Sequence, residues 1–156
     1  MAHENCGTEA AEKMIERTFS VDGNPVAQPR HRSARRGTFI GHYIPDKHPV
    51  HEYKAALQLA AQMKFADIAP IEVSVSVDIL AIFARPQSHW RKNGTLTKAA
   101  RQWPPKNDWD NIAKAVCDAL TGIAYLDDDQ IVRGGVEKRY ASAQEQSRTT
   151  VTVRAL

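Results

Sequence analysis

The clearest pattern along the chain is a stripe of apolar residues at helical spacing that runs through residues 108–121 and ends at Ile123. The stripe consists of Ile112, Val116, Ala119, Leu120 and Ile123. Such spacing predicts an amphipathic α-helix whose apolar side faces a core. Asp108 stands at a favourable N-cap position and Gly122 follows the last turn. A second, alanine-rich pattern with apolar residues at i, i+4 and i+7 predicts another helix over residues 50–65.

Alternating apolar and polar positions predict strands elsewhere. Residues 71–79 alternate without interruption, which predicts a half-buried strand that continues towards Pro86. Shorter runs bounded by turn residues predict strands over 17–21, 38–44, 131–140 and 149–153. We therefore expect one α+β domain over residues 17–156, in which two main helices pack against a mixed, mostly antiparallel sheet. Residues 1–16 form an N-terminal extension.

Two segments without periodicity are predicted to be loops, and both are basic. Residues 29–37 carry Arg30, Arg32, Arg35 and Arg36. The stretch 85–107, mostly the long predicted loop 86–107, has six basic and no acidic side chains, namely Arg85, Arg91, Lys92, Lys98, Arg101 and Lys106. Residues 108–129 instead carry six acidic side chains and one basic. The net charge of +3 is therefore a near-cancellation of opposed blocks, unlike an ordinary solvated surface.

Length and composition exclude several classes of protein. A chain of 156 residues with 42% hydrophobic and 25% charged residues is an ordinary globular domain, not a collagenous chain, a disordered polyelectrolyte or a disulfide scaffold. Two distant cysteines, Cys6 and Cys117, are expected to be free thiols in a reducing compartment. No apolar run has the length of a membrane span, and the N-terminus lacks a signal-peptide core. These features predict a cytoplasmic protein without a membrane partner.

The acidic block is the best candidate for chemistry. Asp108 and Asp110 start the predicted helix, Lys114 lies one turn further on the same face, and three more carboxylates follow at 127–129. All-oxygen ligands suit Mg²⁺, and adjacent cations suit phosphates, as in a metal nuclease. A purely structural interpretation also remains open. Capping and the helix dipole favour aspartate at this position, Asp110 and Lys114 can form a surface ion pair, and residues 127–129 can be a solvated turn.

Other motifs give less. No EF-hand, phosphate-binding loop, dinucleotide-binding glycine motif or nucleophile elbow is present. His48 and His51 have a spacing compatible with a metal, but no third ligand lies near them in sequence. Trp90, Trp103 and Trp109 can stack on bases or pack in the core. Trp109 stands between the two aspartates, where we expect its ring to brace the site.

Two blocks of sequence resemble the RusA family of Holliday-junction endodeoxyribonucleases, which occur in bacteria and their phages. The blocks are Asn107 to Leu120, with its Asp-x-Asp-Asn and Asp-Ala-Leu motifs, and Leu126 to Val132, with Asp-Asp-x-Gln. The resemblance implies metal ligation by Asp108, Asp110 and Asp127, catalysis by these residues and Lys114, Mg²⁺ or alternatively Mn²⁺ as cofactor, and a homodimer that binds branched DNA. Its DNA contacts are expected from the ten basic residues named above.

Three positions depart from the usual family pattern. Asn107, Trp109 and Asp129 stand where the family commonly has proline, leucine and a small residue. The extra charge at Asp129 leaves open whether Asp127 or Asp128 is the tighter ligand.

The expected function is therefore a Mg²⁺-dependent, structure-selective endonuclease that resolves four-way DNA junctions by paired symmetric nicks in recombination and repair. One alternative is a non-cleaving module that binds branched DNA on the same scaffold. Another is a metal-dependent enzyme acting on nucleotides or sugar phosphates, which the lack of a phosphate loop disfavours.

Overall fold

The computed structural model describes residues 14–156 and contains six strands and two α-helices in that range. In chain order they are β1 (Glu16–Asp22), β2 (Arg32–Arg36), β3 (Phe39–Tyr43), α1 (Val50–Lys64), β4 (Val75–Phe83), α2 (Trp109–Leu120), β5 (Ile131–Tyr140) and β6 (Arg148–Ala155). Short 3₁₀ turns occur at Gln87–His89 and Asp128–Gln130. The predicted α+β class, both helices and the strands over 131–140 and 149–153 are confirmed.

The main sheet has the order β1-β6-β4-β5. β6 pairs antiparallel with β1 and β4, whereas β5 pairs parallel with β4. The sheet is therefore mixed and mostly antiparallel, as predicted. A parallel pair needs a crossover connection, and here that connection contains the basic stretch 85–107 followed by α2.

Both helices cover the same face of this sheet. Val75, Val77 and Ile79 of β4 are at most 4% exposed and join the buried residues of α1 and α2 in one core. The other face is polar. Hydroxyl pairs join β1 to β6 there, and Arg154 forms ion pairs with Glu16 and Asp78. The functional residues therefore have to be sought where α2 meets the edge strand β5.

The strand predicted over 71–79 is displaced towards the C-terminus. β4 begins only at Val75, because the backbone before it is bound elsewhere. The Ile71 amide donates to the Ala124 carbonyl over 2.9 Å, and Val73 is 53% exposed despite its apolar position in the alternation. Continuous alternation thus marked the strand but misplaced its first residue.

The loop predicted over 29–37 is partly wrong. Residues of β2 and β3 form an antiparallel hairpin separate from the main sheet, joined by a two-residue turn in which Gly37 has φ of 64°. A two-residue connection with a positive φ is typical of tight hairpins. Three of the four arginines, Arg32, Arg35 and Arg36, consequently lie on an exposed strand rather than in a loop.

The segment after β4 is largely irregular, as predicted, and it is held to the end of the sheet. The Arg85 guanidinium lies 4.3 Å from the ring centroid of Tyr140 and donates to the Arg101 carbonyl over 2.8 Å. Within residues 14–156 no helix is both long and apolar enough to cross a membrane. Cys117 is a free thiol, whereas Cys6 lies outside the described residues, as does most of the predicted N-terminal extension.

Candidate active site at the start of α2

The backbone just before α2 is fixed from two sides. Asn107 has φ of 66°, its side-chain oxygen accepts from the Ala27 amide over 3.2 Å, and its carbonyl accepts from Lys138 Nζ over 2.9 Å. The Gln28 amide also donates to the Asn111 carbonyl over 2.9 Å. The segment after β1 and the edge strand β5 together set the position of Asp108.

Asp108 occupies the predicted N-cap position but its side chain makes no capping hydrogen bond. Asp110 lies in the first turn, and both side chains are exposed. Among the ion pairs found in residues 14–156, none involves either carboxylate. The capping role that would explain Asp108 structurally is therefore not used, and two carboxylates face solvent at the positive end of the helix dipole.

Lys114 pairs with Asp118 rather than with Asp110, the partner considered from the sequence. Its Nζ lies 3.7 Å from Asp118 Oδ1, one turn later in α2, and the surface pair with Asp110 is not formed. Asp118 Oδ2 also lies 3.3 Å from Lys54 Nζ, which comes from α1. Asp118 thus sits between two lysines and orients the exposed Lys114 side chain.

The predicted acidic turn at 127–129 is held by side-chain hydrogen bonds to its backbone and is not simply a solvated loop. Asp127 Oδ1 accepts from the Asp129 amide over 3.2 Å, and Gln130 Oε1 accepts from the Leu126 and Asp127 amides. Gln130 Nε2 donates to the carbonyls of Ile71 and Val73, both over 2.8 Å. The turn is therefore anchored to the segment before β4, and the Asp127 carboxylate serves partly as its cap.

Asp128 is a carboxylate of this turn whose pKa is affected by charged residues of α2. A hydrogen bond with Asp127, partial desolvation and the negative charges of Asp127 and Asp118 raise the pKa of Asp128, and Lys114 opposes the rise. Two carboxylates held this close repel each other when both are ionised. A divalent cation would relieve that repulsion, so the charge pattern fits a metal.

The donor atoms at the site also fit a hard cation. They are carboxylate oxygens, and burial raises the pKa of the nearby Cys117 thiol to about 11, which keeps it protonated at neutral pH. Within the described part of the chain, however, no three histidine, cysteine or acidic side chains come together as a group that could hold one ion. The expected ligands come from two places, Asp108 and Asp110 at the start of α2 and Asp127 in the turn.

Two grooves flank the start of α2. The first, of about 510 Å³, is lined among others by Arg30, His48, Asp108 and Asn111. The second, of about 360 Å³, lies between α2 and β5 and includes Trp109 in its lining. The first groove brings the predicted DNA contact Arg30 beside the predicted metal ligand Asp108.

The histidine pair does not form a metal site. His48 Nδ1 accepts from the Val50 amide over 3.1 Å, and His51 Nε2 donates to the Pro45 carbonyl over 3.1 Å. Both rings are therefore engaged with backbone around the start of α1.

The remaining basic candidates differ in what they contact. The exposed ones are Arg32, Arg35, Arg36, Arg91, Lys92, Lys98, Arg101 and Lys106. Arg85 is half-buried against Tyr140 and holds the following segment in place. Trp109 is 59% exposed, so its ring does not brace the site by packing as expected.

Comparison with known proteins identifies the family to which the chain is similar. The profile of the family described as Endodeoxyribonuclease RusA matches residues 22–154. A relative described as uncharacterized protein YqaN, from Bacillus subtilis (strain 168), is 32% identical over 137 residues, which are 87% of this chain and 94% of that protein. The chain belongs to the RusA family of endodeoxyribonucleases. The RusA resemblance read from the two sequence blocks is thereby confirmed, and endodeoxyribonuclease is the activity class.

The RusA match spans the whole site, including residues that sequence reasoning overlooked. Lys54 reaches Asp118 from α1, Lys138 holds the residue before Asp108, and Gln130 ties the acidic turn to the segment before β4. Only Gln130 carried a signal, because it belongs to the Asp-Asp-x-Gln block. The two lysines act across segments distant in sequence, and no local spacing reveals such contacts.

Proposed function

We propose that this RusA-family protein is a Mg²⁺-dependent endonuclease that resolves four-way DNA junctions by paired symmetric nicks in recombination and repair. One observation carries the proposal. The Asp108 carboxylate makes no capping hydrogen bond at the start of α2 and lines one groove together with Arg30. Asp110 follows it in the first turn of the helix. A cation next to free carboxylates suits a phosphate held against a metal.

The proposed ligands are Asp108, Asp110 and a carboxylate of the 127–129 turn. Asp127 is the ligand expected from the family motif, but part of its carboxylate caps the turn, whereas Asp128 senses Lys114 and Asp118. The turn therefore offers two carboxylates, Asp127 and Asp128, for the third ligand. Bound Mg²⁺, or Mn²⁺ in its place, would supply an activated water and neutralise charge on the phosphate.

The other residues then have distinct tasks. Lys114, oriented by Asp118, stabilises negative charge that develops on the phosphate or leaving oxygen. Arg30 binds a backbone phosphate next to Asp108, and the arginines of the β2–β3 hairpin extend this contact along the DNA. Two symmetric cuts need two sites, so a C₂ homodimer is proposed as the acting species.

Asp110→Asn tests the assignment directly. We expect the variant to bind a synthetic four-way junction as the wild type does and to lose cutting by a factor of about 10² or more, since a metal ligand is removed. Cleavage of the junction and of a linear duplex of the same sequence is measured with and without Mg²⁺. Asp67→Asn is the matched control, because Asp67 pairs with Arg17 on another surface. Cutting by Asp110→Asn near the wild-type rate would refute the assignment.

A non-cleaving module that binds branched DNA is the second candidate. It is favoured by the finding that, within residues 14–156, no three histidine, cysteine or acidic side chains are grouped so that they could hold one ion. In that case the wild type binds the junction in a salt-dependent manner but cuts nothing in Mg²⁺ or Mn²⁺. The same assay therefore decides between the two functions.

A further inference from the structure

Trp109 is an exposed aromatic residue placed between two proposed metal ligands. Its side chain is 59% exposed, although large aromatic residues are usually well buried. Asp108 and Asp110 flank Trp109 in sequence, so DNA held by these carboxylates passes the end of α2 at which the indole is exposed.

The groove beside Trp109 is open, apolar and free of acidic residues. Val77 and Ile79 contribute buried surface, Ala113 and Cys117 line one side, and the only charged lining residue is Arg133. Its volume of about 360 Å³ lies at the lower end of the range in which proteins bind small ligands. An apolar slot with one cation suits a flat, uncharged ring attached to an anionic chain.

Two glycines of β5 are part of the lining of this groove. A Cβ at Gly134 would collide with the Val77 carbonyl, so that position admits no side chain without movement of β5. Gly135 is in register with Asp78, so the open space beside it lies on the polar face of the sheet. At these two positions β5 lines the groove with backbone atoms alone.

We propose that this groove binds a nucleobase adjacent to the phosphate that is cut, stacked on Trp109. The inference rests on the proposed function, because it takes the phosphate at Asp108 and Asp110 as its starting point. Every base has a face that stacks on an aromatic side chain, and bases next to a branch point are the least costly to unstack. Arg133 at the groove contacts the phosphate on the far side of that base.

A nucleobase fits this position better than a second copy of the protein. The groove opens at the start of α2, where the proposed metal ligands also lie, so a protein segment filling it would compete with DNA for this end of the helix. The absence of acidic residues among its lining also complements the charge of DNA.

The test is a binding cycle between protein and DNA variants, measured without divalent metal so that no strand is cut. Four-way junctions carry one abasic residue in turn at each nucleotide around the crossover. We expect one abasic position to weaken wild-type binding about tenfold. Trp109→Leu should weaken binding of the intact junction by a similar factor. The abasic residue at that position should then cause no further loss of affinity in this variant. Leu59→Ala, which alters an exposed residue of α1, should respond like the wild type.

A second measurement keeps the proposal testable if Trp109→Leu folds poorly. 2-Aminopurine at the sensitive position should lose emission when wild-type protein binds, and Trp109→Phe should retain both stacking and the response to the abasic residue. The proposal would be overturned if the abasic residue weakened binding of Trp109→Leu as much as it weakens binding of the wild type. Unchanged 2-aminopurine emission at every position would also overturn it. A change in sedimentation mass of Trp109→Leu would assign the groove to a second copy instead. If the wild type binds in this way but cuts nothing, the proposed nuclease function fails and the base site stands.

Discussion

At the scale of single residues, the environment of Lys114 shows what spacing along a helix leaves undecided. Residues 110, 114 and 118 share one face of α2, so the sequence allows Lys114 to pair with either aspartate. The structure selects Asp118, because Lys54 of α1 holds that carboxylate from the other side. Asp110 is left free. The sequence predicted which residues are involved, but the choice between them depends on a lysine 64 positions away from Asp118.

Asp118→Asn should slow DNA cutting markedly and lower the free energy of unfolding only slightly. The variant removes the carboxylate that orients Lys114, and misplacement of a catalytic group by about 1 Å can cost up to about 10²-fold in rate. We expect a loss of at least about tenfold in cleavage at saturating DNA. Because the ion pairs are partly exposed, the free energy of unfolding should fall by only about 1 kcal/mol or less.

Asp67→Asn removes a 2.9 Å ion pair with Arg17 and serves as the control that loses a surface pair far from Lys114. Single-turnover cleavage and urea unfolding are measured for both variants. Wild-type cleavage by Asp118→Asn would show that Lys114 needs no such partner.

At the scale of elements, the pairing of β5 with β4 depends on a backbone without a side chain. Gly134 lies against the Val77 carbonyl, whereas Gly135 points a would-be Cβ into open space. Gly134→Ala should therefore push β5 away from β4 and lower the free energy of unfolding by about 1–3 kcal/mol, as overpacking does. Gly135→Ala is the matched control and should be nearly neutral. Equal destabilisation by both substitutions in urea titrations would contradict the close approach.

The connection between β5 and β6 is stabilised by an ion pair with a definite pH dependence. Two hydrogen bonds from Arg139, of 2.6 and 2.9 Å, are the main reason that the pKa of Glu145 is lowered from 4.5 to about 2. A folded-state pKa below the unfolded one means that the stabilisation is complete above pH 4.5 and is lost as pH falls towards 2. Glu145→Gln should therefore unfold at a lower temperature than the wild type at pH 7. The two melting temperatures should converge near pH 2, and a constant difference across this range would refute the link to Glu145.

Elements were predictable where their signal is local. The stripe from Ile112 to Leu120 needs no partner to be recognised, and α2 begins within one residue of its predicted start. Of the β2–β3 hairpin, β3 was predicted as the strand over 38–44, whereas β2 was missed because it buries nothing and shows no alternation. β4 was displaced because Gln130, 57 positions from Val73, binds the backbone that alternation assigned to the strand.

At the scale of the whole molecule, the sequence predicted the acidic residues of the site better than their assembly. Asp108, Asp110 and Asp127 come from two blocks, and the distance between those blocks depends on the packing of the turn against α2 and the segment before β4. The structure holds the turn through Gln130, and within residues 14–156 no three acidic, histidine or cysteine side chains form one ion-binding group. The relative placement of the two blocks thus depends on contacts between distant segments, which local spacing does not encode.

The β2–β3 hairpin gives the molecule a second basic surface rooted at the site. Its first strand begins two residues after Arg30, which lines the groove of Asp108, and its arginines project from an exposed ribbon. In the proposed function, DNA that reaches the carboxylates passes along the hairpin. Each phosphate contact contributes about 0.9 to the slope of log affinity against log salt concentration.

The triple variant Arg32→Gln, Arg35→Gln, Arg36→Gln should accordingly bind junctions more weakly and reduce that slope by about 2–3. Its cutting rate at saturating DNA should stay near the wild-type value, because the hairpin contributes contact rather than catalysis. Lys64→Gln, in the last turn of α1, controls for the loss of positive charge. Binding is measured by fluorescence anisotropy over a range of salt concentrations. An unchanged slope would place the DNA elsewhere and leave the stretch 85–107 as the main basic contact.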